Sequence, residues 1–333
     1  MTPLGQIIIK NLSAFDTDPA SIWINPPADD SWQSVTSRTG NLALHCQYYD
    51  RWESLTQSGG NARFGAFPEG GPFRQVFLSL PHSKARLEMM LDCAASLLDS
   101  TGILWLSGEN RAGIRSAAPR LKKRFKNVQV VDSARHCRLY RASEAETELK
   151  FRADEYLHQW ELDAGGSPLK LCSLPGVFAH GRLDEGTRML IELIPELDCS
   201  GRMLDLGCGC GVIGASIAHH HGTVQLTLSD VDALALYSAR ATLNVNGLVG
   251  EIIPANGLEG MHAPFDLIIS NPPFHEGHVT STDLSMNLMK PVRNFLAPGG
   301  SVVLVVNRHL PYAGWLDGIF GSHRVLAKNT RFQ

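Results

Sequence analysis

From residue 200 onward the chain alternates between short apolar runs and longer stretches with helical spacing. Arg202 to Leu206 is apolar and ends in a glycine-rich turn, Val212 to His220 reads as a helix, and Val224 to Ser229 as a strand. Between Asp232 and Asn244, the residues Leu234, Leu236, Ala239 and Leu243 fall at spacings that a helix gathers mainly on one side. Glu251 to Ile253 and Asp266 to Ser270 follow as strands. Next come a helix from about Ser281 to Leu296 that Pro291 kinks, a turn at Pro298-Gly299-Gly300, and a strand from Ser301 to Val306. This repeated β-α order predicts an α/β fold with a mostly parallel sheet covered on both faces.

The first half alternates in the same way, more weakly. A strand at Gln75 to Leu80, a helix from about Lys84 to Leu98 and a strand at Gly102 to Gly108 repeat the order of residues 265 to 306, which suggests an internal duplication. The acidic stretch Ala142 to Glu148 has no apolar period and reads as a linker. It places a boundary near 150 and divides the chain into 1–150 and 151–333. Just beyond it, Tyr156 to Leu162 and Leu169 to Leu174 flank Asp163-Ala164-Gly165-Gly166, a hairpin pattern.

Length and charge refine this picture. A chain of 333 residues suits two domains, and 44% apolar with 19% charged residues is the composition of a globular protein. With no apolar stretch of membrane-spanning length and no leader-like N-terminus, the expectation is a cytoplasmic protein, and a monomer is the expected state. The seven cysteines form no CxxC pair, and His219-His220-His221 closes a helix, so no metal is expected. Residues 1–150 carry 18 Lys+Arg against 15 Asp+Glu, whereas 151–333 carry 12 against 18. The cations concentrate in 108–141, which includes Arg111, Arg115, Lys122, Lys123, Arg124 and Lys126; this segment is either a solvated face or a phosphate-binding surface.

Candidate chemistry begins at Asp205-Leu206-Gly207-Cys208-Gly209-Cys210-Gly211, where glycines let the backbone turn tightly beside a ligand at a helix N-terminus. Residues 209–214 also satisfy GxGxxG, with Asp230 placed 19 residues after Gly211, as in a nicotinamide-binding unit. Asp205, however, would repel a pyrophosphate. It suits a cationic ligand end, and S-adenosylmethionine offers an ammonium for Asp205 and a ribose for Asp230.

Asn271-Pro272-Pro273-Phe274 closes the strand that ends at Ser270. An exocyclic amine has a delocalised lone pair and becomes nucleophilic when oriented acceptors hold its hydrogens. The Asn271 side chain and the Pro272 backbone carbonyl supply such acceptors, and Phe274 supplies a face for stacking. The string alone also fits a proline-rich turn, and a second copy, Asn25-Pro26-Pro27, reads as a loop after Ile22-Trp23-Ile24.

Taken together, Leu204 to Gly209, Asp230 and Asn271 to Phe274 resemble class I S-adenosylmethionine-dependent methyltransferases that act on exocyclic or amide nitrogens. Gly108 to Ser116, Val131 to Arg135, Leu174 to Phe178 and Leu310 to Tyr312 further resemble the RsmC-type small-subunit (16S) rRNA guanine-N2 methyltransferases. The resemblance implies two tandem Rossmann-like methyltransferase domains. The N-terminal one is degenerate and binds RNA, and 16S rRNA or the small ribosomal subunit is the partner. It places Asp205, Gly207 and Gly209 at the methionine moiety and Asp230 at the ribose. Asn256 falls beside the adenine, and Asp184, Gly186 and Thr187 border the methionine end. Asn271, Pro272 and Phe274 are the catalytic group. Other planar nitrogens, a glutamine amide or adenine N6, fit the same motif, and a non-catalytic assembly factor is the non-enzyme alternative. After a strand-like His323 to Ala327 and a turn at Lys328-Asn329-Thr330, the family pattern continues into one more strand, set antiparallel between two others. A shorter end is expected to leave an exposed sheet edge.

Overall fold

Ser21–Ile24 is a run of four buried residues, the pattern of a strand covered on both faces, and it forms β1 at the heart of the first sheet. The neighbouring strands are β2 (Leu42–Cys46), β3 (Ala62–Phe64), β4 (Phe73–Ser79), β5 (Leu98–Glu109), β6 (Phe125–Ala134) and β7 (Cys137–Ala145). Their order is β3-β2-β1-β4-β5-β7-β6. The first five are parallel, and β7 runs antiparallel to both of its neighbours. Helices α1 (Pro3–Lys10), α2 (Ser31–Thr39), α3 (Tyr49–Gln57), α4 (Lys84–Ser96) and α5 (Ala118–Leu121) complete this part. The Phe15 ring meets Phe77 at 4.9 Å and Trp105 at 4.8 Å, both edge-on, within a core that includes Ile7, Trp23 and Val35. The computed structural model describes residues 1–17, 20–146, 150–163, 167–262, 264–272 and 290–333. It divides the chain into two units, Met1–Tyr156 and Leu157–Gln333.

The second unit opens with an antiparallel hairpin of β8 (His158–Asp163) and β9 (Pro168–Ser173). Then come α6 (Glu185–Leu193), β10 (Arg202–Leu206), α7 (Val212–His221), β11 (Gln225–Asp230), α8 (Ala233–Val245), β12 (Glu251–Pro254), β13 (Phe265–Ser270), β14 (Leu296–Leu304) and α9 (Tyr312–Phe320). The sheet is parallel, in the order β12-β11-β10-β13-β14. Hydroxyls of α8 take up backbone donors at β9: Cys172 N–H donates to Thr242 Oγ1 and Leu174 N–H to Ser238 Oγ, each at 3.0 Å.

The two sheets share one winding order, so strand register matches them residue by residue. Ile24 pairs with His45 and Leu78 as Leu206 pairs with Ser229 and Asp205 with Ile269. On this register Asp205 corresponds to Trp23, Gly207 to Asn25, Asp230 to Cys46 and Asn271 to Ser79. Gly207 N–H donates to Ser229 O at 2.9 Å, and Asn25 N–H donates to His45 O at 2.7 Å in the same way. Trp23 is fully buried and its Nε1 donates to Ser79 Oγ. Burial also pushes the Cys46 thiol up to about 12. Asn25, held at φ 54°, bonds Gln47, which in turn accepts from the buried Arg86. The second Asn-Pro-Pro string thus stands at the end of a first strand, and in unit 1 the positions that correspond to Asp205, Gly207 and Asp230 hold packed side chains.

Three elements differ from the sequence reading. Residues 281–289 of the expected helix lie outside the described residues, and Lys290–Phe295 is a 3₁₀ turn. Pro298-Gly299-Gly300 does not end an element. It is absorbed into β14, where Leu296 pairs with Phe265 and Ser301 with Leu267, and β5 carries the same irregularity between Leu98 and Ile103. His323 to Ala327 forms no strand: among the described residues none pairs with it in a ladder, and Val325 and Leu326 stay exposed. Instead Gln333 and Val306 exchange backbone hydrogen bonds at 2.8 and 2.9 Å, and Phe332 is buried in the core beside Met203 and Ile217.

Candidate active site

Four adjacent parallel strands end at one edge of the second sheet, where open α/β sheets place their ligands. Asp205 lies in β10, 1% exposed, and its Oδ2 accepts the Gly214 N–H of α7 at 2.8 Å. Its Oδ1 is buried without a partner. Burial pushes this carboxyl up to about 7, against the lowering effect of the Gly214 bond. After β10 the chain turns through Gly207, Gly209 and Gly211 at φ 71°, 55° and 79°, a region that L side chains rarely adopt. No atom lies within 4 Å of a Cβ placed at Gly207 or Gly209, so their backbone is open to close approach.

Asp230 ends β11 and orders this turn. Its Oδ2 accepts from Gly209 N–H and its Oδ1 from Asp232 N–H, each at 2.9 Å. Burial raises this carboxyl to about 6. Asn256 follows β12, half-buried, next to Ala255, whose N–H donates to the Asp230 carbonyl at 3.1 Å.

At the end of β13, Ser270 Oγ donates to Leu206 O at 2.6 Å and ties this strand end to that of β10. Asn271 comes next. Its Nδ2 donates to Thr187 Oγ1 at 2.8 Å and to Asp184 Oδ2 at 3.1 Å. Asp184 also caps α6, accepting from Gly186 N–H at 2.9 Å and Thr187 N–H at 3.1 Å. Pro272 is buried, while Pro273 and Phe274 lie outside the described residues.

The cleft beside these groups is also lined by Phe178, 60% exposed, and by Arg182. Neither was singled out as a site residue from the sequence. An aromatic followed by Ala-His-Gly in a polar loop was the available signal. Another cavity of unit 2, about 610 Å³, opens along β14 and α9. Its described lining shares no residue with the cleft and includes Leu190, Val303, Leu316 and Phe320, so the chemistry is read from the cleft.

The basic segment of unit 1 is less uniform than its sequence. Arg124 is withdrawn from it: the side chain is buried and bonded to Asp92 and Glu88 at 2.5 and 2.6 Å. Arg111 pairs with Glu109 at 2.5 Å, and Arg115 donates to Asn110 Oδ1 at 3.2 Å. Lys122, Lys123 and Lys126 are exposed. Among the described residues, no helix is long and apolar enough to cross a membrane.

A twisted parallel sheet of this order, with a glycine turn after its first strand, an acid ending the second and Asn-Pro ending the fourth, defines a class I methyltransferase-like unit. Residues 168–333 match the methyltransferase small domain and residues 5–160 the methyltransferase small domain N-terminal family. Relatives are named ribosomal RNA small subunit methyltransferase C. That of Shewanella pealeana is 32% identical over 100% of this chain and 98% of its own length. That of Salmonella enteritidis is 36% identical over 100% and 95%, and that of Hahella chejuensis 39% over 80% and 78%. The chain belongs to the ribosomal RNA small subunit methyltransferase C family. Its two-unit fold matches that of the T. thermophilus 16S rRNA N2 G1207 methyltransferase (RsmC), solved with AdoMet and guanosine. The TM-score is 0.85 at 22% identity, over 99% of this chain and 91% of that one.

Proposed function

We propose that the chain methylates the exocyclic N2 of a guanine in 16S rRNA, with S-adenosylmethionine as the methyl donor. One observation carries this reading beyond family membership: a buried carboxylate oxygen without a partner, Asp205 Oδ1, stands one strand away from an asparagine whose amide is held by its NH₂. An orphaned anionic acceptor fits the ammonium of the donor's methionine end, and a nucleotide pyrophosphate would be repelled there. Asp205, Gly207 and Gly209 hold the methionine moiety, Asp230 the ribose and Asn256 the adenine edge. The donor supplies an electrophilic methyl carbon on a sulfonium.

The residues of this chain do the rest by placement. Asn271 Oδ1 and the Pro272 carbonyl accept the two N2 hydrogens, which frees the nitrogen lone pair for attack, and Phe274 stacks on the base. The nitrogen gains the methyl group, the carbon–sulfur bond breaks, and the acidic methylated amine loses a proton to water. Alignment of this kind is worth up to roughly 7–11 kcal/mol. A paired guanine cannot reach such a cleft, so the base is flipped or unpaired. Unit 1, whose cofactor positions are filled, contributes RNA affinity through Lys122, Lys123 and Lys126, with Arg111 and Arg115. The substrate places the reaction in the cytoplasm.

Radiolabel transfer to naked 16S rRNA, assembled small subunits, DNA and glutamine-containing protein substrates tests the reading. Label is expected in rRNA as N2-methylguanine and is expected to fall by on the order of 100-fold or more in Asn271→Ala, while the cofactor still binds. Label in DNA or protein alone, or an Asn271→Ala variant near wild type, defeats it.

A further inference from the structure

Asn271 is useful as an acceptor only if its amide points the right way round. In an isolated asparagine the two orientations are nearly equal in energy, and in a protein the surrounding bonds decide. Here both Nδ2 hydrogens have acceptors, Thr187 Oγ1 at 2.8 Å and Asp184 Oδ2 at 3.1 Å. Turned over, Oδ1 would face a carboxylate oxygen with no proton between them. We propose that Asp184 and Thr187 are positioning residues of the methyl transfer, gripping the Asn271 amide by its NH₂ so that Oδ1 is presented to the substrate amine. This deepens the function proposed above and rests on it.

The arrangement does more than orient. Asp184 accepts from Gly186 N–H, Thr187 N–H and Asn271 Nδ2 through one oxygen, which fixes it at the first turn of α6. A negative charge behind the NH₂ polarises the amide toward Oδ1, because linked hydrogen bonds strengthen one another. Oδ1 thereby becomes a better acceptor as positive charge grows on the attacking nitrogen. The resemblance to the family placed Asp184 and Thr187 at the methionine end of the cofactor; the bonds to Asn271 give them a different task, and the two tasks predict different kinetics.

The test uses the full chain with 16S rRNA as substrate, reading kcat, KM and the Kd of S-adenosylhomocysteine by calorimetry. Thr187→Val removes the acceptor at nearly constant volume. Its kcat is expected to fall roughly 10- to 100-fold, since misplacing a reacting group by about 1 Å can cost on the order of 100-fold. Cofactor Kd and Tm are expected to stay near wild type, and Thr187→Ser to restore kcat. Asp184→Asn keeps a good helix cap and tests the charge; a lowered kcat with an unchanged Tm is expected. Thr187→Val added to Asn271→Ala is expected to cost nothing further, because both changes disable one device. Additive losses, no rescue by serine, or a tenfold weaker cofactor Kd at unchanged kcat would overturn the proposal. Should Asn271→Ala itself turn over normally, the reading of Asn271 falls and the grip falls with it. A dead Asn271→Ala beside a normal Thr187→Val removes the grip alone.

Discussion

Asp205 keeps one carboxylate oxygen on Gly214 N–H and the other without a partner, 1% exposed, so it strains toward its neutral form. Burial pushes its pKa up to about 7 and that of Asp230 up to about 6, from an ordinary value of 3.8. A carboxyl whose folded value lies above its unfolded one holds its proton more tightly when folded. The folded state is therefore favoured at low pH and loses that advantage as pH rises from about 4 to about 7. Asp205→Asn is expected to flatten this part of the Tm-against-pH curve of the protein without cofactor. If Asp205 holds the donor's ammonium as proposed, binding needs the charged form, and the Kd of S-adenosylhomocysteine is expected to be roughly tenfold weaker at pH 6 than at pH 8. A Kd independent of pH in calorimetry would remove Asp205 from the methionine end. The sequence pointed to Asp205 because it stands two residues before the glycine turn, and to Asp230 and Asn271 because each follows a run that reads as a strand. It could not show what Asp184 and Thr187 do, since their bonds to Asn271 span 87 and 84 residues and leave no local pattern.

Elements were legible where the pattern they carry is their own. The alternation after residue 200 specified β10 to β13 and the helices between them, and Asp163 to Gly166 marked the hairpin, because period and turn chemistry are local. Elements that depend on a neighbour were not. His323 to Ala327 has a strand's composition and no ladder to join, while Pro298 to Gly300 has a turn's composition and is carried inside β14 by its pairing with β13. The basic segment shows the same dependence. The Lys and Arg residues of 108–141 read as either a solvated face or a phosphate-binding surface, yet Arg124 turns inward from the turn after α5 to Asp92 and Glu88 on α4, and Tyr156 Oη also donates to Asp92 at 2.6 Å. Removing one partner from such a buried group leaves charges uncompensated. Arg124→Met is expected to destabilise unit 1 by about 3–5 kcal/mol, read as a lowered urea midpoint. A midpoint unchanged within error would return Arg124 to the surface set.

At the scale of the whole molecule, the two sheets share a winding order and differ at a few residues of their strand ends. Trp23, Asn25, Cys46 and Ser79 stand in unit 1 where unit 2 has Asp205, Gly207, Asp230 and Asn271, and each of the four fills space or bonds a neighbour. A unit that fills its own cleft keeps its surface for other uses. The negative excess of residues 151–333 makes unit 2 a poor attractor of phosphate, and on the function proposed above RNA affinity falls to unit 1, where Lys122, Lys123 and Lys126 are exposed and, unlike Arg111, not shown in an ion pair. Replacing all three with glutamate is expected to weaken 16S rRNA binding. It is also expected to reduce the slope of log K against log salt by about 2–3, since each phosphate contact contributes roughly 0.7–0.9. The side chains are exposed, so the Tm of the variant is expected to match wild type, which separates it from Arg124→Met. Binding measured at several salt concentrations decides the matter. An unchanged affinity and slope would move the RNA contact off this surface and onto unit 2, with the catalytic reading of Asn271 left standing.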